Sequence, residues 1–202
     1  MSDRTNLWRT LEYLDPARFL LELRVAEELM LDTSARLGIA LDPLSLRLRT
    51  QPLKPHREWR DAALFVYGMG LSKRITIALA PYEAEDFDAI TKWVLDGQPF
   101  YCPLQLKELP PADLNEHLTL KDLLDSLHRY QGSTDTVLAI KLSRKPEIDL
   151  LSLRVPEVPF AEVYVFWANA PYSASFIIYG DLKQSPTPFE FTYPGSSPDA
   201  AA

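Results

Sequence analysis

The sequence has few of the residues that build disulfide-linked or zinc-binding sites. It contains one cysteine, Cys102, and three histidines, at positions 56, 117 and 128. A single cysteine excludes an intramolecular disulfide and any multi-cysteine zinc site, and the spacing of the histidines does not match that of metal ligands.

Long hydrophobic runs and an excess of positive charge are also absent. No apolar run approaches the ~20 residues that span a bilayer, and the N-terminal stretch MSDRTNLWRTLEYLD is polar and mixed in charge, unlike a secretory signal. These features predict a soluble, cytoplasmic protein with no membrane partner. The formal net charge of -7 argues against nucleic-acid binding by bulk attraction but leaves room for a local basic groove.

The 202 residues, 47% of them hydrophobic, are enough for one sizeable core. We predict a single domain over residues 1–184 and an extended or disordered tail over residues 185–202, which are rich in proline, serine and alanine. Because this tail has few apolar residues beyond Phe189, Phe191 and Tyr193, we expect it to be dispensable for folding.

Residues 15–37 carry the pattern of an amphipathic helix, with Asp15 as the N-cap, Pro16 at the first helical position and Gly38 as the stop. Glu27 lies in the middle of the apolar stripe of this helix. A carboxylate in a buried stripe needs a cation, a hydrogen bond or an ion pair, so Glu27 is a candidate site residue, and a structural partner such as an arginine is the alternative.

The middle of the chain predicts a hairpin followed by a helix. Residues 61–67 and 74–80 are strand-like and apolar, and Gly68 and Gly70 between them would supply the turn. Asp61 is the first residue of the first strand. Its carboxylate can face a cleft, or the residue can simply mark the start of the strand. The acidic start and apolar face of residues 83–96 predict a helix that Gly97 closes.

A short strand limited by prolines follows within residues 100–111. Alternation places Leu104 and Leu106 on one face of this strand and Gln105 and Lys107 on the other. Residues 119–130 then predict an amphipathic helix, and 137–142 a strand buried on both faces, which together form a parallel crossover. Two further strands are predicted over residues 163–167 and 175–179.

A basic run precedes the predicted hairpin. Such a run is more often a charged face exposed to solvent. The more specific explanation is a surface that binds the phosphates of DNA. Its members are Arg47, Arg49, Lys54, Arg57 and Arg60.

The predicted order of helix, three strands, helix and strand resembles the core of the PD-(D/E)XK nucleases, the restriction-endonuclease-like superfamily. The resemblance covers roughly residues 16–142 and implies an α/β (α+β) fold, with a central mixed sheet flanked by helices, an αβββαβ core and extra C-terminal strands. In that superfamily, an aspartate at one strand start and an acidic residue two positions before a lysine on a neighbouring strand bind a divalent cation. A glutamate of the first helix often completes the site.

The positions that match this pattern are Asp61, Gln105 with Lys107, and Glu27. The resemblance therefore implies a Mg²⁺-dependent nuclease that hydrolyses DNA phosphodiester bonds. Asp61, Gln105 and Glu27 would hold the metal, and Lys107 would hold the attacking water or the developing charge. Mg²⁺ prefers carboxylate oxygens, so a glutamine in place of the acid lowers the charge of the site.

Two alternatives follow from that glutamine and from the strand order. The first is a catalytically silent nuclease-fold protein that binds protein or nucleic acid, as a homodimer or as a subunit of a larger system. The second arises if residues 74–80 form the third core strand, which leaves the acid and lysine positions empty. Glu83 could then take the place of Asp61.

Overall fold

The computed structural model describes residues 3–40, 49–84, 86–130, 133–144, 157–170 and 173–196. Within these ranges the protein is a mixed α/β fold with four α-helices and one seven-stranded mixed sheet. The helices are α1 Asp3–Trp8, α2 Pro16–Leu37, α3 Lys54–Lys73 and α4 Leu120–Asp125. The strands are β1 Ile77–Ala84, β2 Phe87–Leu95, β3 Gln98–Leu109, β4 Val137–Leu142, β5 Glu162–Ala168, β6 Ser175–Gly180 and β7 Thr187–Thr192.

The strands lie in the sheet in chain order, from β1 at one edge to β7 at the other. Strands β3, β4 and β5 run parallel to one another, and every other neighbouring pair is antiparallel. The predicted crossover from β3 through α4 to β4 is confirmed, with Leu104 opposite Val137 and Leu109 opposite Leu142. The carboxyl ends of β3 and β4 therefore meet at one end of the sheet.

Helix α2 begins and ends where the sequence predicts. The Asp15 carboxylate accepts a hydrogen bond of 2.9 Å from the Ala17 N–H, Pro16 occupies the first turn, and Gly38 adopts the left-handed conformation. These groups satisfy backbone donors and acceptors that a helix end otherwise leaves unpaired, so the boundaries are fixed locally.

Residues 61–70 belong to helix α3, so the predicted hairpin at this place is wrong. The segment is buried almost without interruption from Asp61 to Gly70, and a helix buried on all sides gives an apolar run like that of a buried strand. Gly68 allows close packing here, because a Cβ at this position would lie 2.6 Å from side-chain atoms of Ile178 and Phe191.

The predicted helix over residues 83–96 is also wrong, because most of this segment is strand β2. The tight turn between β2 and β3 places Asp96 and Gly97 at positive φ, 51° and 74°. Two consecutive residues in that conformation match the right-handed twist of a hairpin. Gly97 therefore turns a hairpin where the sequence pattern indicated the end of a helix.

The sheet separates the two larger of the three hydrophobic cores formed by the described residues. On its α3 face, side chains of α2 and α3 pack against alternate sheet residues that include Leu104, Ala139 and Phe166. On its α4 face, α4 and the turn after it pack against the intervening residues, such as Leu138 and Val165. A side chain's position along β3 or β4 thus decides which of the two faces it joins.

The boundary predicted at residue 184 is corrected by strand β7. Thr187–Thr192 pairs with β6, and Phe191 is buried in the core of the α3 face. The Tyr193 hydroxyl donates a 2.9 Å hydrogen bond to the Leu20 carbonyl of α2. Residues 187–193 are therefore part of the domain, while residues 197–202 lie outside the described ranges.

None of the helices in the described ranges combines the length and apolar character that crossing a membrane requires.

Candidate functional site

Gln105 and Lys107 lie side by side on the α4 face of β3, as the alternation predicts. Their partners across the parallel ladder, Leu138 and Ile140, both belong to the core of that face. Gln105 is buried, and the Lys107 ammonium lies 5.2 Å from the centre of the Tyr130 ring. An ammonium over an aromatic face is attracted by the negative potential of the ring.

The carboxylate nearest this pair belongs to Asp88, the second residue of β2. Its Oδ2 atom accepts a short hydrogen bond from Gln105 Nε2 and a 2.6 Å hydrogen bond from the Leu106 N–H. Gln105 lies on the α4 face, and these two hydrogen bonds place the Asp88 carboxylate beside it at the start of β2. Asp88, Gln105 and Lys107 therefore form one polar cluster, here called the β2–β3 cluster.

Burial raises the pKa of Asp88, because a partly desolvated carboxylate resists ionisation. The hydrogen bond from Leu106 and the charge of Lys107 lower this pKa, whereas the negative charges of Glu58 and Glu83 raise it further. The net shift is upward. Two other acidic groups thus add to the effect of burial on this carboxylate.

Asp61 does not join Gln105 and Lys107. Its carboxylate, on α3, accepts a 2.6 Å hydrogen bond from Lys141 Nζ, and Lys141 points to the α3 face because Ile140 and Leu142 face the other way. Asp61 and Lys107 therefore lie on opposite faces of the sheet. The predicted cleft containing both residues is not formed, since a helix and not a strand carries Asp61.

Glu27 also lies on the α3 face, between α2 and α3. Its side chain is one-third exposed (33%), and its Oε1 lies 3.8 Å from Arg60 Nη1. That oxygen is buried and accepts no hydrogen bond from the described residues. Glu27 is only partly buried, and its neighbour is an arginine of α3, as the structural alternative predicted.

Three arginines of the basic run are paired with carboxylates. Arg49 forms a two-pronged contact with Glu108, Arg57 lies 3.7 Å from the same carboxylate, and Arg60 contacts Asp61 at 3.4 Å. Their charges are neutralised within the fold, which weakens the attraction that a phosphate backbone would feel. Lys54 is exposed and pairs with Glu58, and Arg47 lies outside the described residues.

Glu83, the alternative acid, is exposed near the end of β1 and acts on Asp88 through its charge. In the part of the chain that the structure describes, no group of three histidine, cysteine or acidic side chains lies close enough together to hold a metal ion. A cation at the β2–β3 cluster would therefore depend on amide and backbone oxygens in addition to Asp88.

Sequence reasoning missed Asp88, although a signal for it exists. Asp88 is the second residue of a largely apolar run, FDAITKWVL, that lies one tight turn before the strand with Gln105 and Lys107. Because residues 83–96 predict a helix, the sequence pattern does not place Asp88 on a strand beside Gln105.

Comparison of the chain with protein-family models, with curated proteins and with solved structures found no match in any of the three.

Proposed function

We propose that this protein is a divergent member of the PD-(D/E)XK superfamily that hydrolyses phosphodiester bonds in DNA with the help of a divalent cation. The observation that carries the proposal is the contact of Asp88, at the start of β2, with Gln105, two residues before Lys107 on β3. This replaces Asp61 by Asp88 in the predicted site. It keeps Gln105 and Lys107 in their predicted roles.

The order of elements supports the same proposal. Helices precede an antiparallel β1–β2–β3 meander, and α4 then leads to β4, which runs parallel to β3. This is the αβββαβ order expected for a restriction-endonuclease-like core, with β5, β6 and β7 as the extra C-terminal strands.

The oxygen atoms of the β2–β3 cluster fit a hard cation if the Gln105 amide is rotated. Gln105 Nε2 contacts both Asp88 Oδ2 and, at 3.2 Å, the Leu106 carbonyl oxygen. Rotating the amide by half a turn would exchange Nε2 for Oε1 and bring three oxygens together, an arrangement that favours a cation such as Mg²⁺. A bound Mg²⁺ would activate water and neutralise charge on the phosphate.

Lys107 has a role that follows from its own chemistry. Its ammonium offers three hydrogen-bond donors and a charge that can hold a phosphate oxygen or the attacking water. The Tyr130 ring contacts this ammonium through its face and supplies no carboxylate acceptor, so the hydrogen-bond donors can reach a substrate. The hydrogen bond from the Leu106 N–H to Asp88 also holds this part of β3 in register with β2.

A catalytically silent binding module is the second candidate. The observation that favours it is the same amide, because Gln105 Nε2 already satisfies Asp88 and the Leu106 carbonyl without a cation. In that case the nuclease fold would persist as a scaffold that binds protein or nucleic acid.

Cleavage of single- and double-stranded DNA with Mg²⁺, Mn²⁺ or a chelator distinguishes the two. We expect Lys107→Ala and Asp88→Asn each to lower cation-dependent cleavage by at least about 100-fold, the usual effect of losing a positioned catalytic group. The exposed Asp32→Asn on α2 is the matched control and should cleave like the wild type. Mg²⁺ should also raise the melting temperature of the wild type but not of Asp88→Asn.

A wild-type protein that cleaves nothing and is not stabilised by Mg²⁺ or Mn²⁺ would leave the binding module as the function. Cleavage that survives Asp88→Asn would remove the β2–β3 cluster from the site.

A further inference from the structure

Two lysines on the α4 face of the β2–β3 pair each lie over an aromatic ring. At the β2–β3 cluster, the Lys107 ammonium lies over the Tyr130 ring. At a second place, the Lys92 ammonium lies 5.1 Å from the centre of the Tyr13 ring. Lys92 is opposite Tyr101 in the ladder, and alternation along β3 gives Tyr101 the same face as Lys107. The two contacts therefore share one surface of the sheet.

The second contact belongs to a small patch formed by Tyr13, Lys92 and Tyr101, here called the tyrosine–lysine patch. The Tyr13 and Tyr101 rings lie 6.1 Å apart. The Tyr13 hydroxyl donates a 2.9 Å hydrogen bond to the Trp8 carbonyl, which anchors that ring beside the third, smallest core. All three patch residues are half-buried, so part of each is open to solvent. The patch therefore offers ring surface and a positive charge at a fixed place.

Neither Lys92 nor Lys107 forms an ion pair with a carboxylate of the described residues. Three arginines of the basic run differ, because acidic side chains of the fold pair with them. An ammonium over a ring keeps its charge for an external anion, and a DNA strand carries phosphate anions at regular spacing. Charge complementarity thus favours a nucleic-acid strand along this surface.

The separation of the two contacts suits a single strand. Tyr101 and Lys107 are six positions apart on β3, which is about 20 Å at the usual rise per residue. Single-strand sites on small domains cover about 4–16 nucleotides, and their bases stack on aromatic rings next to cations. The bases of a single strand have open faces for such stacking, whereas those of a duplex are already stacked on one another.

We propose that the tyrosine–lysine patch is a second contact for the strand that the β2–β3 cluster cleaves, and that the substrate is single-stranded DNA. The inference rests on the proposed function, because the cluster supplies the other end of the path. Lys92 binds a phosphate, and Tyr101 stacks on a base about 20 Å from the cleaved bond. A duplex fits less well, since the net charge of -7 repels its denser phosphates more strongly.

The test is binding of a fluorescent oligothymidylate of about 12 nucleotides to the full-length chain, measured by anisotropy with a chelator so that no strand is cut. The wild type should bind it at least about tenfold more tightly than a duplex of the same length. Lys92→Gln should lower the slope of log Kd against log salt by about 0.7, the contribution of one phosphate contact on a single strand. Lys73→Gln, at an exposed lysine in the last turn of α3, is the matched control and should bind like the wild type.

Exchanges at Tyr101 test the stacking. Tyr101→Leu should weaken binding by about fivefold or more, the loss expected for one stacked base, whereas Tyr101→Phe should keep the wild-type affinity because the ring remains. Circular dichroism confirms that each variant is folded. Equal affinity for strand and duplex, or Lys92→Gln and Tyr101→Leu variants that both bind like the wild type, would overturn the proposal.

Cleavage separates this proposal from the proposed function. With a single-stranded substrate, Lys92→Gln should raise KM and leave kcat unchanged, since it removes binding remote from the reacting bond. An unchanged KM with an active wild type would reject the patch and leave the nuclease in place. A wild type that cuts nothing, with variants that still weaken strand binding, would reject the nuclease and leave the patch as a single-strand contact.

Discussion

The ion pair of Asp61 and Lys141 is the most deeply buried charge contact among those described. Asp61 is 8% exposed at its side chain and Lys141 16%, and their atoms lie 2.6 Å apart. Burial lowers the pKa of the Lys141 ammonium, and the negative charge of Asp61 counteracts that shift. The pair links α3 to β4, so its role is structural.

Asp61→Ala should therefore destabilise the fold, because it leaves the Lys141 ammonium buried without its closest carboxylate. Removing one partner of a buried pair costs about 3–5 kcal/mol, which urea unfolding would measure. Asp32→Ala, in an exposed pair of α2, is the control and should cost less than about 1 kcal/mol. A double variant, Asp61→Ala with Lys141→Met, should recover part of the loss. A stable but inactive Asp61→Ala would instead restore Asp61 to the site.

Glu108 links the basic run to the sheet and predicts a pH dependence. Burial opposes ionisation of Glu108, but hydrogen bonds from Arg49 and Ser143 outweigh burial and lower its pKa. A carboxylate whose pKa is lower in the folded state adds stability above its unfolded pKa of about 4.3. That stability is lost as the pH falls through the lower folded pKa.

Glu108→Gln should consequently lower the free energy of unfolding at neutral pH and flatten its decline in acid. The loss at neutral pH should be about 1.5–3 kcal/mol, the usual contribution of a hydrogen bond to a charged group. Urea unfolding from about pH 7 down to about pH 3 measures both effects. Glu22→Gln, exposed on α2, is the control. Parallel pH profiles for Glu108→Gln and the wild type would contradict the assignment.

At the scale of elements, strand β7 closes the core of the α3 face. Phe191 is 5% exposed, and its ring lies 5.8 Å from that of Phe176 and 6.0 Å from that of Tyr67. The absence of a side chain at Gly68 makes room for this ring. Strand β7 thus packs against both β6 and α3, although its sequence predicts an extended or disordered tail.

Phe191→Ala should cost about 3–5 kcal/mol, the usual price of a large cavity in a core, and truncation after Gln184 should abolish cooperative thermal unfolding. Both are measurable by circular dichroism and calorimetry. Phe100→Ala provides the control, since Phe100 is 43% exposed and stacks on Trp93 alone in the β2–β3 hairpin. Its cost should stay below about 1.5 kcal/mol. A truncated chain that unfolds like the full one would show that β7 is dispensable.

At the scale of the whole molecule, the parallel strands β3, β4 and β5 form the centre of the sheet and separate the two cores. Charged groups are divided between the two faces by alternation. Glu108, Lys141 and Asp61 meet on the α3 face, and Asp88, Gln105 and Lys107 on the α4 face. Each cluster is separated from the other by the thickness of the sheet, so a substitution in one should leave the other intact.

The sequence by itself determined the features that depend on local chemistry. The N-cap Asp15 and the stop at Gly38 fixed α2, and the Thr119–Asp122 capping box fixed the start of α4. Alternation placed Gln105 and Lys107 on one face of β3. Each of these features rests on residues within a few positions of one another, so the printed sequence contains all of the physical information that they require.

Only the tertiary structure decided what residues 61–70 and 83–96 become. In residues 61–70, an apolar run buried on almost every side is compatible with a helix and with a strand, and its packing partners decide between them. In residues 83–96, pairing of β2 with β1 and β3 overrides the helical pattern. The partners of the charged residues were decided in the same way. Asp61 meets Lys141 from 80 positions away, and Asp88 meets Gln105 through the register of a hairpin. Local sequence does not specify such contacts, because they exist only once the sheet has formed.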